Sequence, residues 1–141
     1  MIIEILDETR ELEPSYKRGL KEISASVLKS LNAPKDSELS ISFIDDEKMR
    51  GLNRTYRDID HTTDVLSFPQ GEGPDTTILG DIVISLSTAD RNSRRYGITR
   101  EEEIKKLIVH GILHLFGYDH KKKKERDEMR EKEKEILHNL K

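Results

Sequence analysis

The chain has no cysteine. That excludes disulfides and iron–sulfur clusters and leaves histidine and carboxylate as its metal-ligating side chains. Also missing is any apolar run approaching the roughly 20 residues that a membrane-spanning helix needs, and Met1 opens no basic-then-apolar secretory leader. No membrane association and a cytoplasmic location are the expectations. Nor is there an excess of positive charge: 25 Lys and Arg against 28 Asp and Glu leave a formal net charge of −3. A polyanion must then be met by a local cluster rather than by the whole surface. At 141 residues the chain suits one domain, 1–141, with a hydrophobic core.

What is present is concentrated in residues 107–120, Leu-Ile-Val-His-Gly-Ile-Leu-His-Leu-Phe-Gly-Tyr-Asp-His. Three of the five histidines stand here, at 110, 114 and 120. His110 and His114 are one helical turn apart, so a helix presents both on one face. Gly117 is placed to end that helix in a left-handed cap and turn His120 back toward them. From Leu107 to Phe116 no residue is charged, which marks a helix buried all round. A lone histidine there would be an ordinary core residue. Two on one face each need a polar partner, and a metal ion satisfies both while accounting for the third. Three imidazoles with a fourth position open form the ligand set of a catalytic zinc ion.

The spacing matches the extended zincin motif H-E-x-x-H-x-x-G-x-x-H except at one position, where Gly111 replaces the glutamate. That glutamate is the general base of the peptidases, so the ligand cage is kept and the base is gone. Glycine inside a helix costs about 1 kcal/mol relative to alanine, which predicts a backbone or ligand packed closely against residue 111.

Elsewhere, periodicity predicts one α+β domain of about four strands in a mixed sheet and four or five helices, with the histidine helix buried at its centre. Residues 2–6, 38–44, 64–68 and 79–86 read as strands, and 70–77 as a Gly/Pro-rich loop. Pro14 opens a first helix that runs until Pro34. Asp45 or Asp46 caps a second with Met49, Leu52 and Tyr56 inward. Ser87 with Asp90 caps a third, which Gly97 closes, and Thr99 with Glu102 forms a capping box for the histidine helix. Residues 121–140 make a charged helix anchored by Met129, Ile136 and Leu140.

The string His110-Gly-Ile-Leu-His-Leu-Phe-Gly-Tyr-Asp-His120 resembles the signature of the YbeY family of bacterial rRNA-maturation endoribonucleases. Asn53-Arg-Thr-Tyr-Arg57, then Asp60, Thr62 and Thr63-Asp-Val-Leu-Ser-Phe68, and further on Leu79-Gly-Asp-Ile-Val-Ile-Ser85, resemble it too, so the likeness runs from about 40 to 120. The resemblance implies a zinc-dependent, single-strand-specific endoribonuclease of 16S rRNA 3′-end maturation and ribosome quality control, with ribosomal RNA and the ribosome or its small subunit as partners. It implies one Zn2+ held by His110, His114 and His120, with Arg57 as the functional arginine.

For such chemistry the nucleophile is either a zinc-activated water or the RNA 2′-hydroxyl, and the residues do not choose between them. Arg57 suits a phosphate because its planar fork binds bidentately, although without the family resemblance it reads more readily as a surface partner of Asp58 or Asp60. Asp64, Asp81 and Asp119 are the candidates for a general base. Arg91, Arg94, Arg95 and Arg100 either track an RNA backbone or form a solvated helix face. Lys121 to Lys124 either line the cleft mouth or start a solvated helix. His61 and His138 are expected outside the site. A zinc peptidase or amidase with a base from elsewhere in the chain is one alternative function. A non-enzymatic ribosome-binding module is the other.

Overall fold

Alternating apolar residues build the sheet that carries everything else. The computed structural model describes residues 1–70 and 77–140. In order, the elements are β1 (Ile2–Asp7), α1 (Pro14–Ser30), β2 (Glu38–Ile44), α2 (Asp46–Arg57), β3 (Val65–Pro69), β4 (Ile78–Ser85), α3 (Leu86–Tyr96), α4 (Arg100–Leu115) and α5 (Lys123–Asn139). The sheet order is β1-β2-β4-β3. β1, β2 and β4 are parallel, and β3 runs antiparallel along the outer side of β4. This is the α+β architecture expected, with a four-stranded mixed sheet and five helices among the described residues. None of those helices is long and apolar enough to cross a membrane.

Strand periodicity gives the sheet two different faces. Ile41, Phe43, Ile82 and Ile84 are fully buried in one core with Leu20 and Leu28 of α1 and Ile104, Ile108 and Ile112 of α4. Val83 turns the other way and joins Ile44, Leu66 and Met49 in a smaller cluster under α2. The histidine helix therefore lies directly on the sheet's main apolar face.

One local expectation is narrowed and two are corrected. Asp45 is the cap of α2, accepting from the Lys48 N–H, while Asp46 collects hydrogen bonds from Ser85, Thr88 and Arg91. Tyr56 is 64% exposed rather than inward. At the last turn of α2 the inward position belongs to Asn53, buried with its amide donating to the His61 carbonyl at 2.8 Å. Tyr56 instead lies edge-on to Phe68. The cap of α3 is Ser85, not Ser87, because its hydroxyl reaches the Thr88 N–H. The predicted loop 70–77 falls mostly outside the described residues.

Candidate metal centre

Local sequence fixes both ends of α4. Thr99 and Glu102 cap its start reciprocally, as the capping box predicts. At the other end Gly117 takes φ +92°, its N–H donating to His114 O (3.0 Å), and the Tyr118 N–H donates to Leu113 O (3.1 Å). That pair of bonds is a Schellman motif, which reverses the chain and carries His120 back over the helix end. From Leu107 to Leu113 every residue except His110 is buried. Gly111 faces the sheet: a Cβ there would stand 2.9 Å from Cγ2 and 3.0 Å from Cδ1 of Ile82. The close neighbour predicted at residue 111 is this isoleucine, and it allows the helix backbone to rest on the strand.

The three imidazoles converge. Nε2 of His114 is 3.1 Å from Nε2 of His110 and 3.2 Å from Nδ1 of His120, and one donor atom from each ring lies within 4.8 Å of the others. Nitrogens sharing a tetrahedral zinc ion at 2.0–2.1 Å stand about 3.3 Å apart. The donor set fits a divalent ion of that kind. Burial holds the His114 pKa below its ordinary value, with the His110 and His120 rings adding to the effect. The neutral form that ligates metal is thereby favoured.

A residue outside the sequence expectations, Glu133 of α5, completes the surroundings of His110, its Oε1 lying 2.6 Å from His110 Nδ1. A carboxylate only accepts, so in the neutral ring the hydrogen sits on Nδ1 and Nε2 turns its lone pair toward the other histidines. This is the outer partner that metal-ligating histidines commonly carry. Glu133→Gln is expected to weaken zinc binding about 10- to 100-fold, read by competition with a chromogenic chelator. Unchanged affinity would reduce Glu133 to a surface ion pair.

The histidines line a cleft of about 660 Å³ together with Arg57, Asp64, Ser67, Asp119 and Lys121. Arg57 ends α2. Asp60, the partner that would make it a mere surface arginine, is taken instead by Arg50 and Arg54. Arg57 makes no ion pair among the described residues, so its charge is uncommitted. Asp64 is committed: one oxygen accepts from the Val65 N–H and the other from Asn92. Asp81 accepts from Gln70 and lies outside this cleft. Asp119 uses Oδ1 on the His120 and Lys121 N–H groups, which lower its pKa with the His120 bond foremost, and keeps its second oxygen free. Of the four lysines only Lys121 lines the cleft. Arg91 is paired with Asp46 and Arg94 with Asp90, so half the arginine cluster is internally neutralised. His61 and His138 are outside the cleft, as expected.

A family profile described as Endoribonuclease YbeY matches residues 2–141. The chain belongs to the endoribonuclease YbeY family. It is 42% identical to an endoribonuclease YbeY of Heliobacterium modesticaldum, covering 92% of this chain and 86% of that one. It is 53% identical to that of Aquifex aeolicus over 73% of this chain and 70% of the relative. A Thermotoga maritima protein of known solution structure superposes with a TM-score of 0.69 at 32% identity, covering 96% of this chain and 87% of its own.

In this YbeY chain a signal for Glu133 was available. Met129 and Ile136, the buried anchors of α5, lie four residues before and three after it. Glu133 therefore sits on the helix's inward stripe, where a lone carboxylate asks for a partner.

Proposed function

We propose that this chain is a metal-dependent endoribonuclease that cuts single-stranded RNA with zinc as its ion. Its place is the cytoplasm, in 16S rRNA 3′-end maturation and ribosome quality control, with ribosomal RNA and the small subunit as partners. The observation that carries the reading is an unpaired arginine in the same cleft as three convergent imidazole nitrogens. When bound, a divalent ion there supplies Lewis acidity toward a phosphoryl oxygen and acidifies a coordinated water.

The chain's own groups do the rest. Arg57 offers a bidentate fork to the scissile phosphate and neutralises charge that builds on it. Lys121 adds a second positive charge in the same cleft. His110 is held in its ligating tautomer by Glu133. Residue 111, a glycine pressed against Ile82, cannot supply the zincin base, so a peptidase or amidase would have to take its base from elsewhere in the chain.

Arg57→Ala is expected to lower RNA cleavage about 100- to 1000-fold with zinc content unchanged, and Arg57→Lys to recover part of it. Assays use single-stranded RNA and casein at equal zinc loading. Casein hydrolysis without RNA cleavage would overturn the proposal, as would full activity in Arg57→Ala.

A further inference from the structure

Strand β3 runs along the cleft, and Val65, Ser67 and Pro69 are among its lining residues. The Ser85 N–H donates to Asp64 O at 2.9 Å, and the Gln70 N–H to Leu79 O at 3.2 Å. Bonded and non-bonded pairs alternate along an antiparallel ladder. The register Leu66↔Val83 and Phe68↔Asp81 therefore continues the bonded set, and Val65, Ser67 and Pro69 turn their main-chain groups away from β4. Among the described residues, the sheet order leaves that side without a neighbouring strand. Among the described residues the Ser67 N–H, the Ser67 carbonyl and the Val65 carbonyl have no main-chain partner. Exposed edges are usually blunted by lysine or covered. β3, Val-Leu-Ser-Phe-Pro, carries no charge at all.

This edge is tied to the metal centre. Ser67 Oγ donates to the Gly111 carbonyl at 3.1 Å, between the two helix-borne histidines. Val65, Ser67 and Pro69 line the same cleft as the three histidines, Arg57 and Lys121. We propose that the outward main-chain edge of β3 at Val65 and Ser67 hydrogen-bonds an unpaired base of the RNA seated at the metal centre. Arg57 and Lys121 match phosphates, whereas uncharged N–H and C=O groups match the neutral edge of a base. A base inside a duplex has that edge engaged, so β3 selects single strands. The inference rests on the endoribonuclease reading for its choice of RNA over a peptide strand, which would use the same groups.

The test is binding by the zinc-loaded full chain, read by fluorescence anisotropy before turnover. Probes are a single-stranded oligoribonucleotide, its duplex, and a series with one abasic nucleotide moved along the strand. Ser67→Pro deletes the N–H in a row where Pro69 already stands, and Ser67→Ala is its reference for the lost hydroxyl. Ser67→Pro should bind the single strand about five- to tenfold more weakly than Ser67→Ala, as loss of one hydrogen bond implies. One abasic position should weaken the wild type similarly and add nothing in Ser67→Pro. If Ser67→Pro does not fold, an ester in place of the 66–67 amide removes the same N–H.

Equal binding by the two variants overturns the inference, as does an abasic penalty that persists in Ser67→Pro. An extended peptide that competes with the oligonucleotide, and loses affinity in Ser67→Pro, assigns the edge to protein instead. If the wild type binds with this pattern but never cuts RNA, the edge inference stands and the endoribonuclease reading fails.

Discussion

His114→Ala is expected to give a folded protein that binds no zinc and cleaves RNA roughly three orders of magnitude more slowly, about 4 kcal/mol of barrier. His114 is the central donor, within 3.2 Å of a nitrogen on each of the other two rings. Without it, His110 and His120 cannot hold a tetrahedral ion with one open position. The core under the helix is supplied by Ile104, Ile108 and Ile112, not by the imidazoles, so the fold should survive. Elemental analysis, circular dichroism and RNA cleavage on one preparation read all three outcomes. Zinc should also raise the melting temperature of the wild type and leave that of His114→Ala unmoved. Unfolding of His114→Ala would favour the zinc-stabilised, non-enzymatic module. Retained zinc at full occupancy would end the ligand assignment.

The second large effect lies at Gly111. Gly111→Ala gains about 1 kcal/mol of helix propensity but drives a methyl into Ile82, whose β-branched side chain is stiff and fully buried. Overpacking of this kind costs about 1–3 kcal/mol, so a net loss of stability is expected in urea denaturation. Gly111→Glu, which would restore the peptidase pattern, must bury a carboxylate against the same isoleucine. It is expected to yield insoluble or unfolded protein rather than a protease. Combining Gly111→Ala with Ile82→Ala should cost less than the sum of the two, because the cavity left by one accepts the methyl of the other. Strict additivity, or a Gly111→Ala protein as stable as the wild type, would show that the contact does not constrain residue 111.

Much of the molecule was legible before its structure. The capping box at Thr99, the glycine reversal at 117 and the four-residue histidine spacing are local signals, and together they bring the three rings to one point. The alternation Ile82-Val83-Ile84 likewise predicted two faces for β4, and they belong to two clusters. What escaped depends on distance. Glu133 meets His110 across 23 residues of sequence, and only its phase relative to Met129 and Ile136 marks it. Arg57, exposed at the end of α2, could not be told from an arginine paired with Asp60 before Asp60 was seen with Arg50 and Arg54. Tyr56 was placed inward by a helical period that stops a residue later, where Asn53 holds the loop to α2.

The donors also differ in how each is held. Two ride on a helix locked into the core, while His120 stands exposed beyond the Gly117 reversal. For an ion held by all three rings, His120 would be the donor that water reaches first, so the exposed turn 117–120, rather than the buried helix, would set how long that ion dwells.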